Sequence, residues 1–268
     1  MDYKGFLAWM REKDLSCRTQ RSYLTNLRLY GQYSGGKEPD QESVHAWKHL
    51  LLQSNNSPRT VNAKLAAVDA YCAYAGISIR IRRVKVQRCS SIGQILTADE
   101  VERLISGLEG DGNIRGAAIV RLLAKTGGRI SEVVRYRVAD LARGHVDMET
   151  KGKIRRIYFP RALADELAPW TDGLQDSDTL CRTVRGSPIT ADAVRKWLKR
   201  AAARYGIDPG KVHPHAFRHF YAVEFLRRNN NLAFLADVLG HANIETTRIY
   251  LRLTESQQQK EIDRTVDW

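Results

Sequence analysis

HPHAFRHFYAVEFLRRNNNLAFLADVLGHANIETTRIY, residues 213 to 250, sets His215, Arg218, His241 and Tyr250 in an order suited to phosphate chemistry. The apolar set Phe217, Tyr221, Val223, Phe225 and Leu226 predicts a helix, in which His215 and Arg218, three apart, leave the same face. One helical turn then presents an imidazole and a guanidinium together. Leu232, Leu235, Ala236 and Leu239 predict a second helix, with Gly240 as its left-handed stop. His241 follows that stop, and Asn243 can cap a third helix carrying Thr246, Thr247 and Tyr250. In an unbroken helix His241 and Tyr250, nine apart, would lie on roughly opposite faces, so the break from Gly240 to Asn243 is what frees them to converge.

Taken singly, a histidine or tyrosine on a helix is a packing or surface residue. The joint pattern H-x-x-R, then L-G-H, then a tyrosine nine residues after that histidine resembles the C-terminal signature of the tyrosine recombinases, the phage integrase and Xer family. Upstream, Thr126-Gly-Gly-Arg129-Ile-Ser-Glu132 resembles the family's T-G-x-R-x-S-E box, and Thr150-Lys-Gly-Lys-Ile-Arg155 its hairpin motif G-K-G-x-K-x-R. Two departures stand out. Gly128 occupies a place where a larger apolar residue is commoner, and the hairpin motif lacks its first glycine and is one residue shorter, which leaves Lys153 as an alternative to Lys151.

Composition points the same way. The 43 Lys and Arg against 30 Asp and Glu give a formal charge of +13 and favour a polyanionic partner, nucleic acid before an anionic membrane. No run approaches the roughly 18 apolar residues of a membrane span, and MDYKGFLAWMREKD has acidic residues where a signal peptide would be basic and then apolar. A soluble cytoplasmic protein is expected, associated with the nucleoid if prokaryotic, with no membrane partner. Cys17, Cys72, Cys89 and Cys181 show no C-x-x-C spacing and read as reduced thiols.

The predicted fold is mainly α with a small antiparallel β-sheet (α+β), in two parts. Residues 1–78 read as a bundle of four helices, the second following Ser16 and stopping at Gly35-Gly36, the third spanning Gln41 to Gln53, the fourth opened by Ser57-Pro58 and ending before Gly76. Residues 79–96 read as a basic interdomain linker, with a short edge strand as the other reading of the alternation ISIRIRRVKV. Residues 97–268 form the second domain: a capping box Thr97-Ala-Asp-Glu100, helix to Lys125, a helix from Arg129 through Val134, a hairpin from His145 to Pro160, and helices near 162–170 and 191–205. After Tyr250 come 18 residues in which Ile262, Val266 and Trp268 form one apolar edge if helical.

The resemblance implies a division of labour. The first domain would be the family's core-binding domain, with Arg18, Arg21, Arg28, Arg59 and Lys64 as its candidate phosphate contacts. Arg80, Arg82, Arg83, Lys85 and Arg88 in the linker would neutralise phosphates as a clamp closes round the duplex. In the catalytic domain Tyr250 would be the nucleophile, forming a 3′-phosphotyrosine. Arg129 and Arg218 would hold the non-bridging oxygens, because a planar guanidinium donates two parallel hydrogen bonds to phosphate. His241 would add a donor, Lys151 would protonate the leaving 5′-oxygen, and His215 would take the tyrosine proton or support the phosphate.

Glu132 would orient Arg129 or His215, unless it is a surface acid pairing with Arg135. His213 reads as a loop residue and His219 as a helix packing residue. No metal and no cofactor is implied, and the partners are double-stranded DNA carrying recombination sites and further copies of the chain: a homotetramer on DNA, a monomer in solution. Type IB topoisomerases resemble the same kit. The rival classes are a metal-dependent nuclease using His213, His215, His219 and His241, against which the nearby arginines argue, and a DNA-binding regulator of the same fold that has lost catalysis.

Overall fold

The computed structural model describes residues 1–85, 95–150, 153–240, 247, 250 and 262–266. The chain divides into two compact units, Met1–Arg88 and Cys89–Trp268. No helix among the described residues is long and apolar enough to cross a membrane.

The first unit is a bundle of α1 (Tyr3–Glu12), α2 (Cys17–Tyr33), α3 (Gln41–Gln53) and α4 (Pro58–Ala75). Each opens on a side chain that accepts from the backbone N–H groups of its first turn: Asp2, Ser16, Asp40 and Ser57. Between them Phe6, Met10, Leu27, Tyr30, Trp47, Leu65 and Tyr71 are buried. The two tyrosines keep partners for their hydroxyls, Tyr30 on Ser43 Oγ at 2.7 Å and Tyr71 donating to Glu38 Oε1 at 3.0 Å.

The first residues of the expected linker belong to this unit. Ile79, Ile81 and Val84 pack on its core, and Gln41 exchanges two hydrogen bonds with the Arg80 backbone. Lys48 Nζ donates to Arg82 O, and the Asn62 amide brackets Val84. The alternation of apolar and basic residues is therefore a one-sided burial pattern: the aliphatic side chains face α3 and α4, and Arg80, Arg82, Arg83 and Lys85 face solvent.

In the second unit α5 (Ala98–Gly110) and α6 (Ile114–Thr126) form a hairpin, followed by α7 (Ile130–Val133), α8 (Val138–Arg143), β1 (His145–Thr150), β2 (Lys153–Tyr158), α9 (Arg161–Thr171), α10 (Ala191–Arg204), α11 (Pro214–Arg228) and α12 (Leu232–Leu239). The helix expected from Thr97 to Lys125 is broken at Asp111 to Asn113. Gly112 there takes φ +69°, and Asn113 caps α6 through Gly116 N. The short α8 is an element that the sequence reading did not contain.

Helix α6 is the centre of this unit, buried on almost every side and packed by α5, α9 and α11. The strands pair antiparallel, Val146 opposite Ile157 and Met148 opposite Arg155. Val146, Met148, Ile157 and Phe159 are buried, and the period of two brings Arg155 onto the same inward face, while Ile154 on the other face is 76% exposed.

Candidate active site

Arg129 stands at the N-cap of α7, just past the left-handed stop of α6 at Gly127. Glu132, three residues on, reaches back: Oε2 accepts from Arg129 N at 2.7 Å and Oε1 from Arg129 Nη1 at 3.0 Å. The carboxylate is 3% exposed and also faces Arg155 Nη1 at 3.3 Å. The alternative of a surface acid pairing with Arg135 is thus overturned, since the box turns Glu132 inward toward two buried or half-buried guanidiniums.

Arg155 is 8% exposed, and burial, ahead of the opposing Glu132 charge, lowers its pKa. Its stem lies over Gly240, where an added Cβ would run into the Arg155 Cδ. Sequence reasoning left Arg155 out of the site. The only signal was its place in the hairpin motif.

Arg218 comes from the buried face of α11 and is 2% exposed. It donates through Nη1 to Gly127 O at 2.8 Å and through Nη2 to Leu239 O at 2.5 Å. Arg129 Nη2 lies 3.4 Å from Gly240 O, the next carbonyl along. Two arginines 89 positions apart are thereby held on two successive backbone carbonyls at the stop of α12. Burial first, then Arg155 and Arg129, push the Arg218 pKa down to about 10, which still leaves it cationic at neutral pH.

Arg129, Arg155 and Arg218 stand around the Glu132 carboxylate, so that among the described residues positive charge is in excess there. Such a cluster suits an anion with several oxygens.

The histidines of α11 line the way from these arginines to Tyr250. His213 is the N-cap of the helix, its Nδ1 accepting from Ala216 N at 3.1 Å, and so is more than a loop residue. His215 and His219 lie one turn apart, ring centroids 4.3 Å apart and nearly perpendicular. His219 Nδ1 is 2.8 Å from the Tyr250 hydroxyl. The expectation that His219 only packs is corrected here: four residues after His215, it follows that residue round the helix to the side where the chain returns with Tyr250.

The tyrosine is 8% exposed and packs with Ala222, Leu235 and Leu239. Burial raises its pKa and the Arg218 charge opposes this. His215 is lowered by burial, then by Arg218, His213 and Arg129. His219 is pushed down to about 4 by burial, then by His215, His213 and Arg218.

Gly128, the departure from the T-G-x-R-x-S-E pattern, has a local cause: the Tyr136 hydroxyl occupies the space a Cβ would take. Lys151, His241 and Asn243 lie outside the described residues, and for Lys153 the description extends to its strand position. Of the expected phosphate contacts, Arg18, Arg21, Arg28 and Arg59 are exposed. Lys64 is half-buried with its ammonium on Asn56 Oδ1 at 3.1 Å, and Arg83 is tied to Asp69 at 2.6 Å. Arg88 and Cys89 lie outside the described residues, and Cys17, Cys72 and Cys181 are free thiols. No group of three or more His, Cys, Asp or Glu side chains among the described residues is arranged to hold a metal ion.

A helical domain with one hairpin, whose arginines converge beside a buried tyrosine, defines the class of the tyrosine recombinases. The chain belongs to the phage integrase family, whose model matches residues 94–257. Among its relatives, the tyrosine recombinase XerA of Pyrococcus furiosus is 27% identical over 281 residues, covering 95% of this chain and 96% of that protein. The tyrosine recombinase XerD of Halalkalibacterium halodurans is 27% identical over 271 residues, covering 92% and 90%. The fold is that of the Tn1549 transposon integrase solved with transposon right end DNA, with a TM-score of 0.73 at 20% identity over 98% of this chain and 99% of that one. It is also that of a lambda integrase dimer bound to a core site, with a TM-score of 0.73 at 17% identity over 91% and 92%.

Proposed function

We propose that this chain is a site-specific DNA recombinase that cuts and rejoins double-stranded DNA through a 3′-phosphotyrosine on Tyr250. The observation that carries the reading is the convergence of Arg129 and Arg218 on the Leu239 and Gly240 carbonyls, with the Tyr250 hydroxyl held beside them by α11. A phosphodiester needs a nucleophile in line with its leaving oxygen and fixed positive donors on its non-bridging oxygens. Arg129, 40% exposed, faces outward to take those oxygens, and Arg218 sets the charge from beneath. Lys151 is the candidate acid for the 5′-oxygen, with Lys153 as its alternative, and His241 a further donor.

Rejoining reverses the cut with a different 5′-hydroxyl, so the energy of the bond stays in the phosphotyrosine and the protein's own residues supply every charge and proton. The bundle of residues 1–78 and the basic segment beyond it would grip the duplex by its phosphates, through exposed residues such as Arg18, Arg21, Arg28, Arg59, Arg80 and Arg82. Exchange between two duplexes needs four sites, hence a homotetramer assembled on DNA from monomers. Ile262 and Val266 in the tail, 56% and 43% exposed, give such an assembly an apolar edge to bury.

The test is a nicked suicide substrate that loses its 5′-terminated fragment on cleavage. The wild-type chain is expected to accumulate a covalent adduct, and Tyr250→Phe to bind the same DNA without forming any. A 3′-phosphotyrosine persisting in Tyr250→Phe would place the nucleophile elsewhere.

A further inference from the structure

Resting on that reading, we propose that His219 is a further catalytic residue: the base that takes the phenolic proton of Tyr250 in cleavage and returns it in rejoining. Its Nδ1 is the atom that meets the Tyr250 hydroxyl, at 2.8 Å, and the two rings are tilted with centroids 5.4 Å apart. His215 is set for a different task. It lies one turn nearer the start of α11, and the hydrogen bond to the Tyr250 hydroxyl is made by His219. Of the two imidazoles, His219 is the one turned to the nucleophile, with the His215 ring packed against it.

Solvent is a poor competitor for the proton. Tyr250 is 8% exposed, walled by Ala222, Leu235 and Leu239. The groups facing His219 are His215, His213 and Arg218 of its own helix and Tyr250, and the cationic and desolvating surroundings keep the ring neutral, with a pKa near 4 in the free protein. A neutral ring with its proton on Nε2 leaves the Nδ1 lone pair free to accept from the phenol. Such a ring is a weak base until substrate arrives. The bound phosphodiester then brings a negative charge that offsets Arg218 and raises the basicity of the imidazole as the phenol becomes more acidic in the transition state.

In cleavage the Tyr250 Oη–H bond breaks toward His219 Nδ1 as the Oη–P bond forms. The P–O5′ bond breaks, its electron pair leaves on O5′, and that oxygen takes a proton from the acid, for which Lys151 is the candidate. Rejoining runs the same atoms backward, and the imidazolium donates its Nδ1 proton to the departing phenolate.

The experiment measures adduct formation on the suicide substrate by the full-length chain with His219→Ala and His219→Asn, each carrying either tyrosine or a trifluorotyrosine of near-neutral phenol pKa at position 250. Expected is a loss on the order of 10²-fold or more in the cleavage rate of His219→Ala with tyrosine, DNA affinity unchanged. The fluorinated phenol, which gives up its proton far more readily than tyrosine, should restore most of that loss while changing the wild-type rate little. His219→Asn, which keeps a hydrogen-bond acceptor near Nδ1 but cannot take a proton, should remain slow and be rescued in the same way. The proposal is overturned if His219→Ala cleaves at the wild-type rate, if Asn alone restores cleavage, or if DNA-binding variants are slow and the fluorinated phenol rescues neither. Absence of any adduct in the wild-type chain would instead overturn the phosphotyrosine reading itself.

Discussion

Glu132 sets the electrostatics of the arginine cluster, because one carboxylate at 3% exposure answers both Arg129 and Arg155. Removing one partner of a buried ion pair leaves an uncompensated charge, whereas removing both can cost little. Glu132→Gln is therefore expected to lower stability by about 3 kcal/mol. Arg155→Met in that background should recover a large part of it, since the buried guanidinium that faced the carboxylate is then gone as well. Denaturant unfolding of the two single variants and the double variant measures this, and additive losses would show that Arg155 and Glu132 act independently. The same pair shows where the sequence is silent. In Lys-Ile-Arg-Arg-Ile-Tyr the apolar residues at 154 and 157 fall on opposite faces of a strand, so hydropathy does not say which arginine goes inward. Pairing with β1 decides it, burying Arg155 and leaving Ile154 in solvent.

At the scale of elements, what could be read in the sequence was what local chemistry fixes. Ser57-Pro58, the Thr97 to Glu100 capping box and the Gly240 stop are all formed by residues within a few positions of one another, and each is in place. The break between α5 and α6 escaped because apolar residues run up to both sides of it, at Leu108 and Ile114, and α8 escaped because six residues are too few for a helical period to show. His219 escaped for a third reason: nothing local distinguishes it from His215, and its partner arrives only when the chain returns beyond α12. Gly240 joins these scales, since its φ of +61° is a backbone requirement and its open Cβ direction is filled by Arg155. Gly144 ends α8 with φ +79° and nothing within 4 Å of a Cβ, so it is the matched control. Gly144→Ala should cost roughly 1–2 kcal/mol of left-handed strain and leave cleavage unchanged. Gly240→Ala should cost more, and slow adduct formation as well, because the Arg155 stem must move away from Glu132. Equal losses of stability in the two variants, with equal cleavage rates, would reduce Gly240 to a helix stop.

For the whole molecule, the partition into two units carries a consequence in acid. The titratable groups that resist protonation in the folded chain are unequally shared. In the first unit Asp2 and Asp40 have pKa values held below 3.8 by backbone N–H groups and by Tyr74 or Ser43, so their contribution is lost only at lower pH. The second unit holds His213, His215 and His219, all lowered from 6.5 by burial, the last to about 4. When the folded pKa lies below the unfolded one, the two states carry the same charge above the unfolded value. Below it the unfolded chain takes up protons that the folded chain refuses, so stability falls as pH drops from 6.5 toward 4. The second unit should accordingly weaken across that window while the first changes little. Hydrogen exchange of the full chain, corrected for the intrinsic pH dependence of exchange, reads the two units separately through the amides of α6 and α11 against those of α2 and α4. Protection is expected to fall in α6 and α11 and to hold in α2 and α4. His219→Gln, which has no proton to gain, should flatten the fall, and a parallel loss of protection in both units would show that the histidines do not set the acid limit.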